Sequence, residues 1–364
     1  MRLFACDACG HTIHFDNRSC VNCGHNLGFV PERLAMHALE QGDDGALRPV
    51  NEPQAAPLLM CANAAADICN WTVPVGGTDG FCLACRHNRL VPNTDTPQGL
   101  DRWRRIGQAQ RHLFYSILKL NLPHPTRMED PQGGLVFDLL EDQIDDNGNT
   151  VAAMTLHDEG RIAIRAAEAD DAVRVAAKEN MDEPYRTMLG HFRHEVGHFI
   201  WNKLVRDVGR LEECRAVFGD ERQDYAAALQ YHYENGPPLG WQQTYISSYA
   251  TTHPWEDFAE CFAHYLHIAD TLETAHAFGI AIDPRGHEEM AVEVAFDPYR
   301  ATSAAQLVAA WVPLSVAINS IQRSLGEGDI YPFVLTPAVT AKLEYIHQLV
   351  QGQANAATLP VQAA

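Results

Sequence analysis

Two histidines four residues apart, with a glutamate directly after the first, stand in "GHFRHEVGHFIWNK", residues 190–203. On a helix, residues four apart project from one side, so His194 and His198 present two imidazoles to one ion. Glu195 then stands next to a water acidified by that ion, since zinc lowers the pKa of such a water to about 7. Two imidazoles with a neighbouring carboxylate can therefore support metal-assisted hydrolysis, the carboxylate taking the proton of the attacking water. The pattern from Glu183 to Asp207 is helical, with Phe192, Val196, Phe199 and Ile200 on one side. That side is expected to pack into a core while the two histidines face a cleft. Gly197 leaves room for close packing, and His191, on the ligand face, reads as a bystander.

A catalytic zinc takes three protein ligands and a water as a rule. No third histidine follows at the spacing of an extended HExxHxxGxxH motif, because the residues after His198 are "FIWNKLVRDVG". The third ligand must then come from elsewhere, and "SYATTHPWEDFAECFAHYLH" offers carboxylates. Glu256 and Glu260 are four apart, on one helical face with His264, while Phe258, Phe262 and Tyr265 lie on the other. Pro254 suits a first helical turn. Acids on an otherwise apolar helix need partners, and a metal with its histidines supplies them. Cys261, on the same helix, reads as a small buried residue.

Eight of the ten cysteines fall before residue 86. Cys6-x2-Cys9 and Cys20-x2-Cys23 have the spacing that lets two thiolates per knuckle reach one tetrahedral ion, with Gly10 and Gly24 where the chain must turn back. Cys61, Cys69, Cys82 and Cys85 form a looser second set with one CxxC pair. Clustered CxxC pairs without an export signal indicate metal thiolates in a reducing compartment rather than disulfides. Residues 1–90 hold six Lys/Arg against nine Asp/Glu, so the cysteine-rich part lacks the basic surface of a nucleic-acid ribbon. It reads as a small domain stapled by zinc, with a docking role open to it.

The whole chain of 364 residues carries a formal charge of −20, 46% hydrophobic and 20% charged residues, as ordinary globular proteins do. An acidic protein does not attract phosphate backbones without a local basic patch; the basic stretch 100–119 reads as a helix face. No run of about 18 apolar residues stands out as a membrane span. "RLVPNTDTPQG" reads as a linker. The runs "GLVFDLL" (134–140), "VAAMTL" (151–156) and "RIAIRAA" (161–167) read as an antiparallel meander, with "DDNGN" and "HDEG" as turns. "DERQDYAAALQYHYE", closed by "NGPP", is expected to be a helix, its aromatics more in keeping with packing than with a substrate cleft. Two more helices follow in the last 60 residues, before a frayed tail. His112, His157 and His232 read as surface or satisfied core residues.

The pair His194-Glu195-Val196-Gly197-His198 and Glu256-Asp257-Phe258-Ala259-Glu260 resembles the gluzincin clan of metallopeptidases. With "FGDERQDY", "SYATTHPWEDFAECFAHYLHI" and "YPFVL", nearly the full chain resembles a bacterial family of zinc-binding metallopeptidases with an N-terminal zinc ribbon. The clan resemblance implies Glu256 as third ligand and Glu260 as support for a zinc-binding histidine, with Glu260 as the rival ligand. Tyr249, seven residues before Glu256, matches the oxyanion-donating tyrosine of the lethal-factor type; His253 is the alternative donor. The expected fold is α+β: a zinc-ribbon domain (1–90) with two four-cysteine zinc sites, a linker (91–100), a zincin-like domain of a small antiparallel sheet plus helices (101–350), and a flexible tail (351–364). The expected cofactors are one catalytic and two structural zinc ions. The expected activity is amide hydrolysis in the cytoplasm, on a peptide or protein substrate that binds extended if 161–167 is an edge strand. A non-catalytic zincin used as a sensor or adaptor, docking through its ribbons, is the alternative. Neither a membrane nor a nucleic acid is an expected partner.

Overall fold

The structure is a computed structural model and describes residues 2–77, 80–180 and 187–357. The chain divides into two compact units, one of Met1–Lys119 with His124–Val173, the other of Leu120–Pro123 with Arg174–Ala364.

The first unit opens with the hairpin β1 (Phe4–Ala5) and β2 (Thr12–Ile13), which precedes a five-stranded antiparallel sheet in sequential order. Its strands are β3 (Asn26–Val30), β4 (Ala35–Gln41), β5 (Leu47–Pro49), β6 (Leu58–Met60) and β7 (Thr72–Pro74). Phe29, Met36, Ala38 and Trp71 are buried here. A second sheet has the order β12-β13-β9-β8, from β8 (Asn88–Leu90), β9 (Val136–Leu140), β12 (Leu156–Asp158) and β13 (Arg161–Arg165). The hairpin β10 (Gln143–Ile144) and β11 (Thr150–Val151) stands apart.

This second sheet corrects the expected antiparallel meander. β13 pairs parallel to β9, and β8 also runs parallel to β9; only β12–β13 is antiparallel. The run "VAAMTL" is divided between β11 and β12 instead of forming one strand. β13 is an interior strand, bonded on both sides, so it offers no edge to an extended substrate. The physical reason is visible in burial. Val136 through Leu139 and Ile162 through Ile164 are continuously buried, as in strands covered on both faces rather than alternating ones. Asp138, fully buried in β9, is neutralised from both neighbouring strands: Arg89 Nε donates to it at 2.8 Å and Arg161 Nε at 2.7 Å.

Helix α1 (Pro97–Lys119) also belongs to this unit. Its Gly107 lets the helix approach Ile68, where a Cβ would stand 2.9 Å from Ile68 Cγ2. Tyr115 and His112 meet the edge of Phe15, with ring centroids 5.5 and 5.2 Å away. Arginines of α1 are paired with acids: Arg102 with Asp170 at 2.6 Å, Arg105 with Asp101 at 3.0 Å and Arg111 with Asp16 at 3.4 Å. The segment 101–119, expected with the metallopeptidase part, thus packs beside the ribbon. Helix α2 (Asp171–Asn180) begins in this unit, which ends at Val173, and its remaining residues are counted with the second.

The second unit is built around α3 (Met188–Trp201) and α6 (Pro254–Ala277), with α4 (Leu211–Phe218) and α5 (Tyr225–Asn235) between them in sequence. Thr187 caps α3, its side chain accepting from the Gly190 N–H at 2.9 Å. Residues 183–186 of the expected helix lie outside the described residues. The two central helices are drawn together at Gly197, where a Cβ would meet Ala259 Cα at 3.0 Å. Phe192, Val196, Phe199, Phe258, Phe262 and Leu266 fill the core they share. After the short hairpin β14 (Ala281–Ile282) and β15 (Val292–Glu293), α7 (Ala304–Ser324) and α8 (Pro337–Ala357) pack behind α6. The tail residues 358–364 lie outside the described residues. By length and composition α7 could cross a membrane, with a mean hydropathy of 1.5 and 39% of that window buried. Its Leu307, Trp311 and Leu314 are core residues of this unit.

Candidate metal centres and active site

In the first cysteine cluster the Cys6–Cys23 and Cys9–Cys20 sulfurs lie 3.6 and 3.7 Å apart. In the second, the Cys69 and Cys82 sulfurs are 3.6 Å apart. A tetrahedron with zinc–sulfur bonds of about 2.3 Å has edges of roughly 3.8 Å, so both sets have the dimensions of a closed four-thiolate zinc site. The knuckles form as their sequence requires. The Gly10 and Gly24 N–H groups return to the Cys6 and Cys20 carbonyls, both at 2.8 Å, from left-handed φ values of +72° and +77°. Burial and the neighbouring sulfurs push the Cys82 thiol well up, which is the cost a cation removes by binding thiolates.

The second unit brings together a third donor set. One ligand atom each from His194, His198 and Glu256 lie within 4.8 Å of one another. Glu256 Oε2 is 2.9 Å from His194 Nε2 and 3.4 Å from His198 Nε2. Two imidazoles and one carboxylate form a ligand set that zinc accepts, leaving a fourth position for water. The donors are already oriented. His194 Nδ1–H donates to Glu260 Oε1 at 2.7 Å, and Ser247 Oγ–H donates to Glu260 Oε2 at 2.6 Å. Glu260 therefore stands behind His194, on the opposite ring nitrogen from Glu256, where a carboxylate sets a ligand's tautomer. Trp255 covers His198, ring centroids 4.0 Å apart.

Electrostatics agree with a cation-binding pocket. Burial alone would lower His194, but Glu256 and Glu260 raise it well above the ordinary histidine value. Burial opposes ionisation of Glu256, yet His198 and His194 hold its carboxyl well below the ordinary range. Glu195 is buried one residue beyond His194, kept ionised against burial by His191, whose Nε2 lies 3.3 Å from Glu195 Oε1. His191 is thus a neighbour of that carboxylate, not the bystander expected from its place on the helix.

Tyr249 lies on the short 3-10 turn before α6, its ring 5.8 Å from that of His194. Burial first, then Glu256, raises its phenol well above the usual value, so it keeps its proton. His253 is instead the N-cap of α6: its Nδ1 accepts the Trp255 N–H at 3.1 Å, and its Nε2 lies 3.2 Å from the Gln223 carbonyl oxygen. Both ring nitrogens are engaged there. Cys261 is buried and donates to Asp257 Oδ1 at 3.6 Å.

One residue of the site is not evident from the sequence. Tyr225, the first residue of α5, donates its hydroxyl to Glu256 Oε1 at 2.7 Å. Its only sequence signal is a place inside "FGDERQDY", since it precedes Glu256 by 31 residues with no helical register between them.

Among known families, residues 99–349 match one described as "putative zinc-binding metallo-peptidase" and residues 3–96 match a zinc-ribbon domain. Proteins of Mycobacterium bovis and of two strains of Mycobacterium tuberculosis, each described as an uncharacterized protein, are 39% identical over 353 residues. Those alignments cover 96% of this chain and 95% of each relative. No solved structure matches.

Proposed function

The chain belongs to this family of zinc-binding metallopeptidases with an N-terminal zinc ribbon, and from that premise we propose that it hydrolyses peptide bonds at a gluzincin-type centre of His194, His198 and Glu256. The observation that carries the proposal is the convergence of these three donors next to the buried carboxylate of Glu195. A zinc ion there would supply Lewis acidity, acidifying water and polarising the scissile carbonyl. The remaining work falls to the chain. Glu195 takes a proton from the attacking water and returns it to the leaving nitrogen. Tyr249 donates its phenolic proton toward the developing oxyanion, and such a donor is worth about 10²–10³ in rate. Glu260 and Ser247 orient His194, and Tyr225 holds the second oxygen of Glu256. The substrate is a peptide or protein; the ribbon unit is zinc-stapled and offers a docking surface. Its eight thiolates suit a reducing, cytoplasmic setting.

The test is Glu195→Gln, assayed on a mixed peptide library with product detection by mass spectrometry. The expected result is loss of turnover with zinc content unchanged. Turnover surviving in the variant would remove Glu195 as the base and the proposed mechanism with it.

A further inference from the structure

Helix α5 buries none of its residues. Tyr231 and Tyr233 are 66% and 57% exposed, and Leu239 in the following turn is fully exposed. A surface helix ordinarily turns an apolar stripe to the core, so the packing role expected of "YHYENGPP" does not describe it. The helix is tied down by polar contacts, through Tyr225 to Glu256 at 2.7 Å and through His232 Nδ1 to Thr251 Oγ1 at 3.3 Å. At the second tie and the turn beyond it, one helical face carries Tyr231, His232 and Asn235. With Gln223, Pro237 and Thr251 this face lines a cleft of about 480 Å³, a volume within the usual range of ligand sites.

The cleft lies beside the candidate metal centre. The His232 ring is 6.3 Å from the Tyr249 ring, which is itself 5.8 Å from His194. An extended peptide advances roughly 3.3 Å per residue, so the cleft is within roughly three to four residues of a bond at the centre. Although the chain carries a charge of −20, no Asp, Glu, Lys or Arg lines the cleft among the described residues. Glu234 is on another face of α5, where Gln230 donates to it at 2.8 Å. Burial lowers the His232 pKa, so its ring is neutral at neutral pH. What remains is amide, hydroxyl, phenol and proline surface. A charged side chain entering it would lose water without meeting a counter-charge.

We infer that this cleft is a substrate subsite selecting an uncharged side chain, polar or aromatic, on one side of the bond cleaved; this rests on the peptidase reading of the adjacent centre. The test uses the zinc-loaded Glu195→Gln protein as a trap for a positional peptide library, with retained peptides sequenced by mass spectrometry. At one position uncharged residues should outnumber Asp, Glu, Lys and Arg by about tenfold, the ratio that about 1.4 kcal/mol gives. Asn235→Lys, an exposed change, should shift that position alone toward Asp and Glu. An unchanged profile in Asn235→Lys, or no retained peptide, would overturn the subsite. A selective profile with no turnover by the wild type would leave the subsite standing and remove only the peptidase reading.

Discussion

The two oxygens of Glu256 have different neighbours. Oε2 faces both histidines, while Oε1 accepts the Tyr225 hydroxyl. A carboxylate held by a hydrogen bond on its second oxygen is steered toward binding the ion through the first, and loss of such an outer partner typically costs about 10- to 100-fold in metal affinity. Tyr225→Phe should therefore weaken the third zinc by about that factor, measured by competition with a chromophoric chelator, while both cysteine-bound ions stay. Tyr249→Phe should leave zinc affinity unchanged and lower kcat by about 10²–10³. Equal zinc affinity in Tyr225→Phe and wild type would show that the tyrosine does not position the ligand. His194 and His198 are readable from their spacing alone. Tyr225 is not, because its partnership with Glu256 is made by the docking of α5.

At the level of elements, α6 carries the carboxylates of the site on one side and a buried ion pair on the other. Lys342 of α8 donates to Asp257 Oδ2 at 2.5 Å, with both side chains buried. Burial still raises Asp257 to about 6, against the lowering influence of Lys342. The sign follows from linkage. A carboxyl whose folded pKa is raised holds its proton more tightly when folded, so the stability it contributes is present at low pH and lost as pH rises through about 6. Lys342→Met removes the lowering influence and strands the acid. The variant should lose about 3–5 kcal/mol of stability at pH 8 and distinctly less at pH 5, measured by urea unfolding at both pH values. An equal loss at the two values would mean that the ionised carboxylate is not the source. The helices themselves are legible from period and caps. The parallel pairing of β9 with β13 is not, because a hydrophobic strand carries no mark of its neighbour's direction; the continuous apolar runs of residues 135–137 and 162–164 are the available hints.

For the molecule as a whole, the metal inventory is the simplest observable. Elemental analysis should find three zinc ions per chain in the wild type and two in His198→Ala. Two ions in both proteins would leave the four-cysteine sites and remove the third centre. Chelation should unfold the ribbon, whose small core is closed by its thiolates, more readily than the helical unit. The family profiles meet between residues 96 and 99, whereas the compact units divide after Lys119 and again near Val173. Helix α1 explains part of the difference: it follows the linker in sequence but packs on Ile68 and Phe15.

The sequence by itself determined what short-range geometry can carry. Four residues make about one helical turn, so HExxH places two imidazoles together wherever that helix lies. CxxC closes a knuckle locally, and Pro254 opens a helix locally. Which carboxylate meets Nε2 and which meets Nδ1, the phenol on Glu256, the interior place of β13 and the neutral cleft along α5 were decided only by tertiary structure. Each depends on the approach of segments tens of residues apart, and helical or strand period sets no distance between them.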